Sequence, residues 1–329
     1  MHGCASMAEG TGKAMTDSPE PRPRLAVSAC LMGEAVRFDG GHKRNAFVAE
    51  VLGTHFDLIP VCPEAAIGLG TPREPIRLVK QTGAIRAVGV RHADRDVTTE
   101  LSRYGAAMAS ELGGISGYVL KSGSPSCGMA RVKVYDGEGA PSREGVGIYT
   151  RAIMERHPLL PVEEEGRLND SGLRASFLTR VAVYNRWQHL CTQPLTPARL
   201  IAFHTAHKFL LLAGNESAYR RLGRLVAGAG SADLDALKPQ YIHEVMTALK
   251  RPPGRGQHAN VLLHLSGWLR RHLDTGDRQE LARLIEDYRR GLTPRAVPLA
   301  LLKHHLRRHP ESYLAGQHYL LESLVIGEE

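Results

Sequence analysis

Leu25-Ala26-Val27-Ser28-Ala29-Cys30-Leu31-Met32-Gly33 is the stretch from which the fold is read. Five small or apolar residues in a row, too few for an ordinary helix, predict a buried strand. The run stops at a cysteine and a glycine, and the same grammar recurs twice. Phe56-Asp57-Leu58-Ile59-Pro60-Val61 stops at Cys62-Pro63-Glu64. Gly117-Tyr118-Val119-Leu120 stops at Lys121-Ser122-Gly123-Ser124-Pro125-Ser126-Cys127-Gly128. Between these strands, residues 46–52 and 98–112 read as helices. Short strands alternating with helices predict a three-layer α/β domain with a mainly parallel sheet. Open α/β sheets bind ligands outside the C-terminal ends of their strands. All three cysteines fall at such ends, so residues far apart in the chain are expected to converge.

Working outward, the 329 residues exceed what one core usually organises and predict two domains. Apolar residues make up 43% and charged residues 23%, a globular composition rather than a disordered one. Aromatics at 5% argue against stacking on many bases as the main activity. A net charge of +8 and a pI near 9.4 favour anionic partners such as nucleotides or RNA, the plainer reading being a generally basic surface. The odd count of cysteines (Cys4, Cys30, Cys62, Cys127 and Cys191) and the lack of an apolar leader argue against a disulfide framework. No apolar run approaches a membrane span. A reduced, cytoplasmic protein with no membrane contact is expected.

Residues 1–24 read as a disordered leader in which Cys4 is inert, and residues 25–168 as the α/β domain. From about Arg174 the chain becomes poor in glycine and rich in leucine and arginine. Helical periodicity covers 198–213, 218–226, 257–273, 278–290 and 299–309. Breaks fall at Gln193-Pro194, Gly228-Ala229-Gly230, Arg251-Pro252-Pro253-Gly254 and Leu292-Thr293-Pro294. An all-helical second domain is expected over 169–329, joined through Val162-Glu163-Glu164-Glu165-Gly166.

Three thiolates are soft ligands that suit an iron–sulfur cluster or zinc. Each candidate lies in a loop that permits close backbone approach, beside Gly33, Pro63 or Gly128. Peptide N–H groups in such loops can reach cluster sulfurs and tune their potential. No CxxC pair is present, so zinc-ribbon and ferredoxin spacings are absent. Buried cysteines acting as small apolar residues remain the alternative on spacing alone.

The residues around the cysteines add to this reading. Ser28-Ala29-Cys30-Leu31-Met32-Gly33, Arg37-Phe38-Asp39-Gly40, Val61-Cys62-Pro63-Glu64 with Gly68-Leu69 and Pro72-Arg73, and Ser124-Pro125-Ser126-Cys127-Gly128 occur in this order. Together they resemble the bacterial thiouracil desulfidase family over roughly residues 25–165. The C-terminal half, best through Phe203-His204-Thr205-Ala206-His207-Lys208-Phe209, resembles a helical domain of uncharacterised role fused to such desulfidases. The fused form resembles those acting on 4-thiouridine monophosphate. The resemblance implies a 4Fe–4S cluster on Cys30, Cys62 and Cys127 with one iron lacking a protein ligand. It implies a C–S cleavage in which water replaces sulfur, sulfide is released and no net redox change occurs, in the service of nucleotide salvage.

Such chemistry needs a proton carrier. Glu64, two residues after a cysteine, is the candidate general base, its plainer reading being a salt-bridged structural carboxylate. Ser124 is placed to hydrogen-bond the ring or the water, or simply to cap the loop. Arg37, Arg73 and Lys121 are candidates for a substrate phosphate, with Ser122 offering a backbone N–H. His204 and His207 share a helix face and are candidates to bind phosphate, to bind a metal or to line the substrate pocket, the plainer reading being a half-buried polar face. Cys191, and Trp268 with its leucines, read as packing residues. The expected partner is a small thiopyrimidine base or nucleotide, with RNA contact as a further expectation. Two alternatives stand: an RNA-binding protein with a structural metal site, and a zinc-bearing scaffold without catalysis.

Overall fold

The computed structural model describes residues 22–136 and 140–321. Cys4 and most of the expected leader lie outside them, and the first strand already begins at Arg24. The chain is mixed α/β through its first half and helical thereafter.

The strands are β1 (Arg24–Ser28), β2 (Asp57–Val61), β3 (Ile76–Gln81), β4 (Ala84–Gly89), β5 (Ile115–Leu120), β6 (Val132–Tyr135), β7 (Ser142–Gly145) and β8 (Val162–Glu164). The helices are α1 (Gly53–His55), α2 (Pro63–Ala66), α3 (Thr98–Glu111), α4 (Ile148–Arg156), α5 (Ser171–Leu190), α6 (Pro197–Gly214) and α7 (Glu216–Ala227). They continue with α8 (Leu234–Leu249), α9 (Arg255–Leu269), α10 (Thr275–Arg290), α11 (Ala296–Arg308), α12 (Ser312–Ala315) and α13 (His318–Leu321). The segment expected as a helix over 46–52 forms a π-helical turn, Phe47–Leu52, that runs directly into α1.

The main sheet has the order β2-β1-β5-β8, with every pairing parallel. Its two central strands, β1 beyond Arg24 and β5, are buried on both sides because both faces are covered. Leu25 and Val27 of β1, with Val119 of β5, pack under Val48 and Leu52 of the π-helical turn and under Phe177 and Val181 of α5. Ala26, Tyr118 and Leu120 face the other way, onto Ala109 of α3 and Tyr149 and Ile153 of α4. This is the three-layer arrangement that the alternation of elements predicts.

A second four-stranded sheet is a feature the sequence does not announce. Its order is β4-β3-β6-β7, with only the β3–β6 pair parallel. Leu78, Ala87, Val132 and Val134 bury one face of it against Leu101 of α3 and Ile148 of α4.

The helical half is built on a separate core running from Val183 to Leu320. The five helices expected from periodicity occur as α6, α7, α9, α10 and α11, and the four expected breaks fall between helices. Asp170, Thr196, Asn215, Asp233 and Asp274 each cap a helix N-terminus through the side chain. Helix α5 serves both cores: Phe177 and Val181 cover the sheet, while Val183 and Trp187 enter the helical core. No helix among the described residues is long and apolar enough to cross a membrane.

Candidate active site

The three cysteines gather at the C-terminal edge of the main sheet. Cys30 lies in a 3-10 turn, Ala29–Leu31, immediately after β1. Its carbonyl accepts a hydrogen bond from Lys43 N at 2.9 Å, which folds the loop of residues 32–45 back over it. Cys62 caps α2 directly after β2, and its thiol faces Val36 O at 3.7 Å. Cys127 lies in the loop after β5, where Ser124 Oγ accepts from Cys127 N at 3.0 Å and from Ser126 N at 3.2 Å. Thr150 Oγ1 of α4 donates to Cys127 O at 2.8 Å and fixes the loop from beneath.

The electrostatics show that these thiols share one neighbourhood. Burial pushes the Cys30 thiol up to about 11, and charge on Cys62 adds to the rise. Lys121 and Arg37 pull the other way, while Glu165 again raises it. Burial lifts the Cys127 thiol far above the usual range, with Glu64, Cys62 and Cys30 contributing and a hydrogen bond with Ser28 opposing. In the unloaded protein burial keeps the Cys30 and Cys127 thiols neutral, and a cationic partner would be needed to favour their thiolates. Among the described residues, no three His, Cys, Asp or Glu side chains stand close enough to share one metal ion. A single zinc needs every thiolate within about 2.3 Å. Three soft thiol donors on the loops after neighbouring strands are of the ligand type that iron–sulfur clusters take.

Glu64 occupies the first turn of α2, and both of its oxygens are engaged. Oε2 takes Nε and Nη2 of Arg73 at 3.0 and 2.9 Å, and Oε1 accepts from Ser126 Oγ at 2.7 Å. The Arg73 side chain is only 3% exposed. Its remaining donors reach Val36 O at 2.9 Å, Gly70 O at 2.7 Å and Thr71 Oγ1 at 3.3 Å. Arg73, expected at a substrate phosphate, therefore acts within the protein as the partner of Glu64. Lys121 is likewise engaged, in a short contact with Glu165 Oε1 and at 2.9 Å from Ser122 Oγ. Ser122 gives its backbone N–H to Glu165 Oε2 at 2.8 Å, so that donor is directed inward too. Arg37 is the expected phosphate ligand with the loosest attachment: Asp39 lies 3.4 Å away and the Phe38 ring 5.2 Å.

His204 and His207 are not brought to this site. They share a face of α6, as their spacing implies, but the face turns into the helical core. His204 Nδ1 lies 3.2 Å from the Tyr241 hydroxyl of α8. His207 Nδ1 faces Phe203 O at 2.7 Å, and its ring packs 4.4 Å from that of His318. Their role is packing and hydrogen bonding between α6, α8 and α13.

Several residues at the site escaped the sequence reading. Ser28, 2% exposed, accepts from Lys121 N at 2.9 Å and so pins the start of the Cys127 loop to β1. Ser126 holds Glu64. Glu164 and Glu165, taken as part of a joining segment, reach the loop from β8. Gly147 gives its N–H to Gly128 O at 2.8 Å and lies hard against the loop. A Cβ there would stand 2.4 Å from Ser126 O and 2.8 Å from Cys127 N. Gly147→Ala is accordingly expected to destabilise the fold by about 2 kcal/mol, as overpacking against backbone does. Gly166→Ala, where a Cβ meets nothing within 4 Å, serves as the control in chemical denaturation.

The helical half carries a distinct open groove of about 580 Å³, lined by His264, Gly267, Trp268, Arg270, Arg271 and Arg278. Trp268, expected in the core, is 38% exposed and stacks on Tyr313 with ring centroids 4.6 Å apart. Beside it the rings of His272 and His309 stack at 5.3 Å. The groove thus presents arginines around one half-exposed indole, one face of which is taken by Tyr313.

Residues 25–165 match the family model described as 2-thiouracil desulfurase, and residues 208–322 match one described as a protein of unknown function, DUF1722. The chain is 37% identical over 145 residues to the uncharacterized protein YbgA of Escherichia coli (strain K12), covering 44% of this chain and 86% of that one. It is 30% identical over 154 residues to the uncharacterized protein YbbK of Bacillus subtilis (strain 168), covering 44% and 98%. Among solved structures, TudS, a 4Fe–4S-dependent thiouracil desulfidase, is 35% identical over 47% of this chain and 98% of its own, with a TM-score of 0.39.

Proposed function

The chain belongs to the 2-thiouracil desulfurase family, and from that premise we propose that it replaces the sulfur of a thiolated uracil nucleotide by oxygen from water, releasing sulfide. The observation that carries this reading is the convergence of Cys30, Cys62 and Cys127 at one sheet edge, where charge on Cys62 raises both other thiols and charge on Cys30 raises Cys127. In this proposal the three thiolates hold a 4Fe–4S cluster, residues 25–168 form the catalytic domain and residues 169–329 the helical one. The bound cluster supplies a Lewis-acidic iron that polarises a thiocarbonyl.

The chain's own residues supply the proton handling. Glu64 Oε2 is taken by Arg73, which holds the carboxylate in one orientation. Oε1 carries one hydrogen bond, from Ser126, and retains a lone pair to take a proton from the attacking water. Ser124 accepts two backbone N–H groups, which leaves its own hydroxyl hydrogen to donate toward the substrate. Arg37 supplies positive charge near Cys30 for a phosphate. Transfer of the C–S carbon from sulfide to water changes no oxidation state, so the reaction is hydrolytic.

The first substrate reading is 4-thiouridine 5'-monophosphate, converted to UMP. A second is favoured by the engagement of Arg73 and Lys121 inside the protein and by the arginine-lined Trp268 groove: 4-thiouridine still carried in RNA. Anaerobically reconstituted protein, given each substrate separately, is expected to bleach the thione absorbance and release stoichiometric sulfide. Absence of turnover on both would refute the activity. Turnover on RNA alone, falling steeply with salt, would select the second reading.

A further inference from the structure

The loop of residues 121–130 carries Cys127, and its outer side is gripped from the sheet's edge strand. Strand β8 runs parallel to β5 in the register Leu120↔Glu164, so its last residue ends level with the point where the loop begins. Glu165 N donates to Leu120 O at 3.2 Å and continues that alignment. The two consecutive carboxylates then diverge. Glu164 Oε1 accepts from Met129 N at 2.9 Å and Ala130 N at 3.4 Å, just beyond Cys127-Gly128. Glu165 accepts from Ser122 N at 2.8 Å and Ser122 Oγ at 2.9 Å and contacts Lys121 Nζ, at the loop's start. Neighbouring strand residues point to opposite faces. One loop passing over the strand end meets both.

Such contacts are not incidental. Glu164 is 8% exposed and its oxygen is matched to backbone amides rather than to a cation. Burying a carboxylate is costly unless it is hydrogen-bonded, and bonds from backbone N–H to a charged oxygen are among the stronger ones. The inner side of the loop is already held by Thr150 and Gly147. Ser28 also ties the loop's start through Lys121 N, and Ser126 meets Glu64; Glu164 takes the backbone amides just beyond Cys127-Gly128.

We propose that Glu164 and Glu165 are positioning residues that clamp both ends of the Cys127 loop and so set the geometry of the third sulfur ligand. The inference rests on the assignment of Cys127 as a cluster ligand. Its first test does not depend on that assignment, because it reads the loop itself. In the full chain before cluster loading, Cys127 is buried and is expected to react slowly with an alkylating reagent, while Cys191 at the end of α5 provides an internal reference. Glu164→Ala is expected to raise the alkylation rate of Cys127 about tenfold, read by peptide mass spectrometry, with Cys191 unchanged. After anaerobic reconstitution, iron and sulfide per chain are expected to fall to about half or less, with a weakened cluster absorbance. Glu164→Gln keeps an acceptor oxygen in place and is expected to restore both readings.

Wild-type Cys127 reactivity and iron content in both Glu164→Ala and Glu165→Ala would overturn the proposal, as would Glu164→Gln behaving no better than Glu164→Ala. Should Glu164→Ala not fold, Glu165→Ala decides by the same two readings. Faster alkylation with no desulfidation in the wild type would separate a sound clamp from a wrong assignment of activity.

Discussion

Replacing Cys30, Cys62 or Cys127 by alanine is expected to abolish desulfidation and to reduce bound iron and sulfide, while Cys191→Ala leaves both unchanged. The expected loss in turnover is about a thousandfold or more, since a Lewis acid at the reacting atom contributes several kcal/mol to the transition state. The fold itself is expected to survive. Cys30 and Cys127 sit in cores already filled by Leu31, Val119, Tyr118 and Leu120, and their ionised forms repel one another. Each variant is therefore expected to melt within a few degrees of the unloaded wild type. Anaerobic iron and sulfide quantification beside a turnover assay checks all four proteins. Full activity in any of the three, or retention of iron with loss of activity in all three, would mean that these thiols do not form one ligand set.

The second large effect concerns acid. Lowering the pH from 7 to 5 is expected to destabilise the helical half by several kcal/mol. Burial, with Lys208 adding, drops His204 to about 4. Burial holds His207 well below the usual histidine range, with His318 and Arg186 adding to the effect. His258 falls to about 3 through burial and Arg295, and His318 to about 4 through burial and Arg186. The folded-state values lie below the unfolded one, so the unfolded chain binds more protons and stability falls as pH drops below 6.5. Between pH 6.5 and 5 each fully buried neutral histidine costs about 2 kcal/mol, and the half-buried His258 and His318 cost less. Against a domain stability of about 5–15 kcal/mol this is a large fraction. Urea midpoints followed by far-ultraviolet circular dichroism at pH 7, 6 and 5 provide the measurement. A midpoint that does not move would show that these rings are hydrated. His207→Gln should flatten the dependence. Glu74, held down to about 2 by hydrogen bonds from His92 and Arg91, titrates below this window and does not confuse it.

What could be read in the chain follows from how local each feature is. β1, β2 and β5 each carry a short apolar run, and each is followed by a cysteine, at once after β2 and within a loop after β5. Their place in a parallel sheet and the convergence of the three thiols were therefore legible. β3, β4 and β7 carry Lys80, Gln81, Arg86 and Ser142-Arg143-Glu144, and half-exposed strands of that kind leave no apolar run to find. α8 was hidden by Pro239 within it. Missing α8 also concealed Tyr241, the partner that turns His204 inward. The cations at the site failed for a different reason. A sequence shows that Arg73 and Lys121 are charged, but not that Glu64 and Glu165 already neutralise them. Lys121 and Glu165 are 44 residues apart and meet only because β8 lies beside β5. The pattern that could have flagged Glu164 and Glu165 is a run of acids ending a short apolar stretch, the same strand-end position that the cysteines occupy.

The order of the main sheet also dictates a sequence of events during biogenesis. The sulfur donors come from the ends of β2, β1 and β5, and β5 is synthesised long after the other two. A nascent chain shorter than 127 residues lacks one of the three thiols. The proposed cluster can therefore be loaded only after β5 and the loop that follows it have been made. On that reading metal insertion is a late maturation step accompanied by proton release.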